Sequence, residues 1–292
     1  PMYGTTAKIL RVNLTTGAIE IETLTEEFYR LYPGGKALAG YILLNELPAH
    51  TDPFSPENVL VVANGLLTGA PVSTATRYIV SARSPLTGGY GESEAGGFWG
   101  PEMKMAGVEA IVVKGKAPNP VYLWINDGKA EIRSAEHLWG KMTAEVQESI
   151  RAELGDEKIR VLQIGPAGEN LVRFAGLTND LRHFNGRNGM GAVMGSKNLK
   201  AVAVRGHQRI HAQAHNPAAL LELGRKLARG EWDDISGEGV HTLRMVEKFS
   251  VFDWRAYPLF ALSHDIVTAP QHLRERLDEY LQFLRGTESC PI

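Results

Sequence analysis

The chain has 292 residues, enough to bury a sizeable core in one large domain or two ordinary ones. Its 31 basic and 33 acidic residues give a formal net charge of −2, so no broad positive field favours nucleic acid as a partner. Cys290 is the only cysteine, which excludes an internal disulfide framework and fits a reducing compartment. Because no apolar run approaches the roughly twenty residues that span a bilayer, we expect a cytoplasmic protein with no membrane partner.

Short β-rich runs alternate with turns through most of the chain. Residues 8–14 and 19–24 alternate apolar and polar side chains around a Thr-Thr-Gly turn, which predicts an N-terminal hairpin. An Asp-Gly turn between residues 121–125 and 130–133 predicts a second hairpin. Apolar runs predict buried strands at residues 59–63, 78–82, 110–113, 161–164 and 199–204.

Helices are predicted between these strands and after them. Residues 36–47 follow a Gly-Gly pair, and Thr143 is placed to cap a helix that Gly155 ends. Further on, Asn216-Pro217 is a helix start, and leucines within residues 273–284 share one helical face. The residues therefore predict a mixed α/β (α+β) fold with considerable antiparallel pairing, followed by a smaller helical segment.

Two glycine segments, residues 84–97 and 185–197, carry the main functional signal. Backbone without side chains can bring its amides against a large anionic ligand, and two such surfaces can hold the ligand from both sides. Arg77 and Arg187 add guanidinium groups that suit phosphate, although ordinary ion pairs explain them equally well. Glu94 is either a ligand of a divalent cation or a solvated turn acid.

A G-x-G-x-x-x-G pattern at residues 189–195 superficially matches a dinucleotide fingerprint. A true fingerprint follows a buried strand, whereas residues 179–185 are polar and predict a turn. The alternative interpretation is that Gly191 and Gly195, one helical turn apart, allow two backbones to pack closely.

Other catalytic or metal-binding patterns are weak. His207, His211 and His215 have the i, i+4 spacing of a zinc site, but they precede the predicted helix and so share no helical face. Cys290 has no second cysteine or neighbouring histidine, which favours a buried or inert thiol over a nucleophile. The residues alone therefore predict a cradle for an anionic ligand on an α/β body.

Six motifs follow one another in a fixed order within residues 3–206. They are KILRVNL (8–14), DPFSPEN (52–58), SPLTG (84–88), AGVEAIVV (106–113), IGPAGEN (164–170) and GAVMGSKNLK (191–200). In this order they resemble the N-terminal portion of the tungsten-dependent aldehyde:ferredoxin oxidoreductase family.

This resemblance implies a base domain of two β-sheets with helices at residues 1–206, and part of a helical domain at residues 207–292. The base would carry a tungsten or molybdenum bis-pterin cofactor, that is, a tungstopterin or molybdopterin. In such enzymes a small aldehyde is oxidised to a carboxylic acid at the metal. Electrons then pass through a [4Fe-4S] cluster to ferredoxin or another electron-carrier subunit.

The resemblance also assigns residues by position. The family's pterin-phosphate contacts correspond to Arg77, Glu94, Ala95, Gly96, Gly97, Asn185, Gly186 and Arg187. Main-chain oxygens of Glu94 and Asn185 correspond to those that hold magnesium between the two pterin phosphates. Cys290-Pro291 resembles part of the cluster motif, so we expect Cys290 to bind the iron-sulfur cluster only if the missing ligands come from elsewhere.

Three functions follow from the resemblance. The first is aldehyde oxidation, with the isolated fragment expected to be inactive and completed by another subunit or by the rest of a longer chain. The second is a dearomatising aromatic acyl-CoA reductase subunit. The third is a non-catalytic pterin-binding module. Assembly into a homo-oligomer is compatible with each of them.

Overall fold

The computed structural model describes residues 2–72 and 75–229 of the chain. The described residues up to Gly224 belong to one compact unit, and a second unit begins at Arg225. The helix predicted within residues 273–284 lies outside the described residues, as does Cys290. The domain boundary expected at residue 206 stays a prediction.

The first sheet has six strands with the spatial order β2-β1-β6-β3-β4-β5. In chain order they are β1 (Lys8–Asn13), β2 (Ala18–Thr23), β3 (Leu60–Asn64), β4 (Tyr78–Arg83), β5 (Tyr90–Ala95) and β6 (Ala110–Lys114). Strands β1 and β6 pair in parallel, whereas the β1–β2, β3–β6, β3–β4 and β4–β5 pairs are antiparallel. The predicted N-terminal hairpin is confirmed as β1–β2.

The second sheet also has six strands, with the order β11-β10-β9-β12-β7-β8. They are β7 (Val121–Asn126), β8 (Lys129–Ser134), β9 (Arg160–Gln163), β10 (Leu177–Asn179), β11 (His183–Asn185) and β12 (Leu199–Arg205). Strands β7 and β12 pair in parallel, and the remaining neighbours are antiparallel. The predicted hairpin around Asp127-Gly128 is confirmed as β7–β8, and the mixed α/β fold class is confirmed with it.

Helices cover both sheets and fill the space between them. They are α1 (Glu26–Leu31), α2 (Gly35–Glu46), α3 (Trp99–Met105), α4 (Thr143–Leu154), α5 (Pro166–Glu169), α6 (Met190–Ser196) and α7 (Pro217–Ala228). The α1–α2 pair packs on the first sheet, and α4 packs on the second. Within residues 2–72 and 75–229, no helix combines the length and the apolar character needed to cross a membrane.

One apolar core joins the facing sides of the two sheets. Val62 and Val80 from the first sheet belong to the same cluster as Leu162 and Val202 from the second. Trp99 of α3 is fully buried in this cluster, and its indole Nε1 donates to the carbonyl oxygen of Val202 at 2.9 Å. Because a buried indole N–H needs an acceptor, this bond fixes α3 against β12 as well as filling the core.

Three short strands were missed by the sequence analysis. Residues 179–185 were expected to form a turn; residues 180–182 do so, but they connect β10 to β11, whose buried Asn179 and Asn185 side chains donate hydrogen bonds. Glu94 and Ala95 were expected in a loop, yet they end β5, where small buried residues alternate with more exposed acids. Period-two alternation indicates a strand even when its inward residues are as small as Gly91 or Ser93.

Two helix termini test the capping predictions. The prediction at Thr143 was wrong, because Thr143 is already helical and the backbone N–H of Met142 donates to Glu145 Oε2 at 3.0 Å. The prediction at Asn216 is confirmed, since its Oδ1 accepts from the backbone N–H of Ala219 at 3.0 Å and α7 begins at the next residue. Both helices thus begin with a side-chain acceptor for an unpaired amide.

Glycines in α6 serve close packing, as the alternative interpretation proposed. A Cβ at Gly191 would overlap the carbonyl oxygen of Gly176, and one at Gly195 would overlap that of Gly168 in α5. All seven residues of α6 are buried, and the strand before it is antiparallel to its neighbour. The dinucleotide interpretation is therefore wrong, because α6 is a packed element rather than the start of a crossover helix.

The packing role of Gly195 predicts a stability change. Gly195→Ala should lower the free energy of unfolding by about 1–3 kcal/mol, because only a shift of α5 away from α6 relieves the overlap. Gly40 in α2 is the matched control, since no heavy atom from outside its own helical turn lies within 4 Å of where its Cβ would stand, among the residues described. Gly40→Ala should be neutral or stabilise by up to about 1 kcal/mol. Urea unfolding measures both, and equal midpoints would contradict the packing role.

Lys197 follows α6 and is fully buried. Its ammonium Nζ donates to the carbonyl oxygens of Gly115 at 3.1 Å and Pro56 at 3.3 Å, both of which are neutral acceptors. Burial lowers the pKa of Lys197 from 10.5 to about 8. The side chain thus ties α6 to two connecting segments at the cost of desolvating a charge.

This burial predicts that stability rises with pH in the alkaline range. Between pH 8 and pH 10.5 the folded chain has released the Lys197 proton while the unfolded chain still holds it, so the unfolded state binds more protons. The free energy of unfolding should therefore increase across this window, by up to about 3 kcal/mol from Lys197. The Lys197→Met variant lacks this contribution, so its pH profile from urea unfolding should be flatter than that of the wild type. Parallel profiles would refute the argument.

Candidate functional site

The predicted site residues lie in two stretches that the fold brings together. We call residues 94–97 the first site segment and residues 185–187 the second site segment. The first begins in the last two residues of β5 and the second begins at the last residue of β11, and each of these strands lies at an edge of its own sheet. The two segments therefore meet where an edge of the first sheet comes against an edge of the second.

Hydrogen bonds from Asn185, Arg187 and Asn188 to β5 join these edges. The side-chain Nδ2 of Asn185 donates to the carbonyl oxygen of Ser93 at 2.8 Å, and the backbone N–H of Arg187 donates to Ser93 Oγ at 3.1 Å. Asn188 Nδ2 donates to the carbonyl oxygen of Glu92 at 2.6 Å. Asn185 and two residues that follow β11 thus supply donors to backbone and side-chain acceptors of the β5 edge strand.

Glycine amides remain open beside this junction. The backbone N–H groups of Gly96, Gly97 and Gly186 donate to no acceptor within residues 2–72 and 75–229. Gly186 is exposed, and no heavy atom of the described residues lies within 4 Å of where its Cβ would stand. Unpaired amides on adjacent backbone are the donors that an oxyanion such as phosphate requires.

Both candidate arginines border the same strand. Arg77 directly precedes Tyr78, whose Cα partner in the first sheet is Ala95, and the Arg187 amide contacts Ser93. Both arginine residues are exposed, and neither forms an ion pair within the described part of the chain. The fold places both arginines beside β5, Arg77 next to the partner of Ala95 and Arg187 at Ser93, and their place on one ligand surface stays a prediction.

Acidic side chains next to the first site segment are partly neutralised. Lys36 Nζ lies 2.7 Å from Glu92 Oε1 and 3.2 Å from Glu94 Oε1. Its hydrogen bond to Glu92, and then that to Glu94, raise the pKa of Lys36 above its ordinary value. Because Lys36 stands in the first turn of α2, this contact brings a positive charge to the site that the sequence analysis did not anticipate.

A buried polar network lies behind the two site segments. Asn179 Nδ2 donates to Tyr78 Oη at 2.8 Å and to the carbonyl oxygen of Gly96 at 3.1 Å. Tyr78 Oη donates to Asn185 Oδ1 at 2.8 Å. Burial raises the pKa of the Tyr78 hydroxyl above its ordinary value, so it stays a donor at neutral pH.

The first site segment also packs tightly against this network. Gly97 has a φ of +91°, and a Cβ there would overlap Asn179 Oδ1 and the His183 ring. Asn179 Oδ1 is buried and accepts no hydrogen bond within the described residues. Gly97 is therefore required both by its backbone conformation and by the close approach of Asn179.

The zinc interpretation of the three histidines finds no support in their surroundings. His207 Nδ1 lies 2.8 Å from Asp127 Oδ2, and the His215 ring packs edge-on against Tyr3 with centroids 4.9 Å apart. Within residues 2–72 and 75–229, no three His, Cys, Asp or Glu side chains group as metal ligands.

Comparison with known proteins shows which family the chain resembles. The family described as "Aldehyde ferredoxin oxidoreductase, N-terminal domain" matches residues 9–206. Tungsten-containing aldehyde ferredoxin oxidoreductase of Pyrococcus abyssi is 46% identical over 240 residues, which is 82% of this chain and 39% of that protein. The Pyrococcus furiosus protein of the same name is 46% identical over 239 residues, with the same coverage. The chain thus spans about 39% of the length of these relatives.

A solved structure agrees with these matches. The active site complex BamBC of benzoyl coenzyme A reductase with 1,5-dienoyl-CoA contains a chain that is 46% identical, with a TM-score of 0.69. The match covers 70% of this chain and 31% of that one. Because the family match extends over residues 9–206 and contains both sheets with both site segments, this chain belongs to the aldehyde ferredoxin oxidoreductase family and carries its N-terminal domain.

Proposed function

We propose that the described body is the base of an oxidoreductase on which a bis-pterin tungsten or molybdenum cofactor sits. One observation carries this proposal: two glycine segments meet edge to edge and leave the amides of Gly96, Gly97 and Gly186 without a partner among residues 2–72 and 75–229. Exposed Arg77 and Arg187 at the same junction supply charge for phosphate groups. Ala95 lies within the first site segment, and its buried side chain anchors the end of β5.

The chain's own groups fit the phosphate end of such a cofactor. In the β5 edge strand, carbonyl groups of alternate residues point away from β4, and the Glu92 carbonyl oxygen does so because it accepts from Asn188. The Glu94 carbonyl, two residues on, faces the same edge. A Cβ at Gly176 would stand 2.7 Å from the carbonyl oxygen of Asn185. Glycine at position 176 therefore leaves that oxygen free of a side-chain clash.

Main-chain oxygens of Glu94 and Asn185 are the ligands that we propose for a magnesium ion between two phosphates. Carbonyl oxygens suit this hard cation, and the phosphates supply most of the opposing charge. The Glu94 carboxylate would repel phosphate on its own, but Lys36 lies 3.2 Å from it and offsets that charge. The arrangement therefore tolerates an acidic residue beside an anionic ligand.

The bound cofactor would supply a redox-active metal at which an aldehyde is oxidised to a carboxylic acid. The described residues bind and orient it through backbone amides and guanidinium groups. A [4Fe-4S] cluster with Cys290 among its ligands, and transfer to ferredoxin or another electron-carrier subunit, belong to the same proposal. They involve parts of the protein beyond the described residues.

A second candidate function is reduction of an aromatic acyl-CoA as one subunit of a larger enzyme. The benzoyl coenzyme A reductase complex favours it, because its matching chain is 46% identical, as are the aldehyde oxidoreductases of two Pyrococcus species. That structure is a complex, which also supports a completing subunit as partner. Anaerobic assays with an aldehyde and with an aromatic acyl-CoA, beside elemental analysis for W, Mo and Fe, separate the two candidates.

Loss of either arginine should reduce the cofactor content. Arg77→Gln and Arg187→Gln should each lower pterin and metal per chain about tenfold or more, because a charge-assisted bond to phosphate contributes about 1.5–3 kcal/mol. Arg133→Gln is the control, since Arg133 lies on β8 at the opposite edge of the second sheet. Pterin fluorescence after oxidation and metal analysis measure the content. Wild-type pterin and metal content in both arginine variants would show that neither arginine binds the cofactor phosphates.

A methyl group at Gly186 should affect the ligand and not the fold. Because a Cβ there meets no heavy atom within 4 Å in the part of the chain that the structure describes, Gly186→Ala should change the free energy of unfolding by no more than about 0.5 kcal/mol. The same methyl group would stand beside the open amide and should lower pterin content several-fold. Gly40→Ala, in α2, is the control for both measurements. A fully loaded Gly186→Ala protein would show that the ligand does not approach this amide.

A further inference from the structure

One directional chain of hydrogen bonds runs through the buried side chains behind the site. Asn179 Nδ2 donates to Tyr78 Oη, Tyr78 Oη donates to Asn185 Oδ1, and Asn185 Nδ2 donates to the Ser93 carbonyl, each at 2.8 Å. Tyr78, Asn179 and Asn185 are at most 1% exposed. Each hydroxyl or amide thus has its orientation set by the bond before it, and hydrogen bonds in such a chain strengthen one another.

The ends of this chain hold the first site segment on both sides. Ser93 accepts at one end, and the Gly96 carbonyl accepts from Asn179 at 3.1 Å at the other. The residues between these two acceptors include Glu94. The same chain holds the second site segment through the Asn185 side chain. Four strands contribute to it, β4, β5, β10 and β11, which belong to two different sheets.

Tyr78 has the central place in the chain. Its hydroxyl is the group that accepts from Asn179 and donates to Asn185, so it transmits the position of one asparagine to the other. Without that hydroxyl, Asn185 Oδ1 would lose its buried donor and the side chain would be free to turn away from Ser93. A buried acceptor left without a partner costs about 1–3 kcal/mol, which local opening of the junction would relieve.

We propose that Tyr78 is a positioning residue that sets the separation of the two site segments, and with it the distance between the main-chain oxygens of Glu94 and Asn185. This inference rests on the proposed function, in which those oxygens share one cation. A site whose ligands are held by buried side chains is formed before its ligand arrives. The hydroxyl touches neither ligand nor metal in this role and acts through Asn179 and Asn185.

Tyr78→Phe tests the role, because it removes only the hydroxyl. Tyr122→Phe is the matched control: Tyr122 is also fully buried, and its Oη donates to Glu153 Oε1 at 2.7 Å on the far side of the second sheet. Hydrogen–deuterium exchange of the anaerobically purified protein, followed by mass spectrometry, should show at least about tenfold faster exchange in both site segments for Tyr78→Phe. Tyr122→Phe should leave both segments unchanged.

A second measurement follows the cation. Magnesium should leave the Tyr78→Phe protein at least about tenfold faster than the wild type when EDTA is added, whereas Tyr122→Phe should match the wild type. Asn185→Ala interrupts the same series of hydrogen bonds at a different residue. It should speed hydrogen–deuterium exchange in both site segments to a similar degree. The double variant should add little, because both changes break one chain.

Two results would overturn the positioning role. One is unchanged exchange in Tyr78→Phe, or faster exchange in only one site segment. The other is failure of both Tyr78→Phe and Asn185→Ala to fold, which would mean that this series of hydrogen bonds is required for folding itself. If the wild-type protein contains neither pterin nor magnesium, the proposed function fails, while the exchange data still decide whether Tyr78 couples the segments.

Discussion

The contact between two sheet edges is the constraint on which the site depends. An edge strand presents backbone groups without partners, and proteins usually cover or shorten such edges. Here β5 accepts hydrogen bonds from the last residue of β11 and from the segment after it: the side chains of Asn185 and Asn188 and the amide of Arg187. Because these donors are directional, they fix one edge relative to the other more narrowly than apolar packing alone does.

Close backbone packing holds the second site segment from behind. Gly191 and Gly195 let α6 approach the carbonyl oxygens of Gly176 and Gly168, where any side chain would overlap them. Lys197 then ties the end of α6 to neutral carbonyls at 3.1 and 3.3 Å. The second site segment is therefore connected to a rigid helix. A loop that presents amides in a fixed direction needs such a support.

Runs of apolar residues were enough to predict most of the strands. The strands that were missed contain mainly polar or small residues. Strands β3, β4, β6, β9 and β12 lie where apolar runs predicted them, because buried central strands exclude polar residues. Strands β5, β10 and β11 were missed, since Asn179 and Asn185 are buried with hydrogen-bond partners that come from distant parts of the chain. Glycines indicated which segments carry the site, but no local pattern encodes a partner such as Tyr78, which is 107 residues from Asn185.

The chemistry of the junction also explains why family membership leaves the substrate open. Amides of Gly96 and Gly186 and the guanidinium groups of Arg77 and Arg187 offer contacts that any phosphate would satisfy, whatever reaction the attached group performs. Relatives named for aldehyde oxidation and for benzoyl coenzyme A reduction match this chain at the same 46% identity. Under the proposed function, selection between aldehyde and aromatic thioester would come from residues that face the substrate and not from this junction. Variants of the junction should then alter cofactor retention alike, whichever of the two is the substrate.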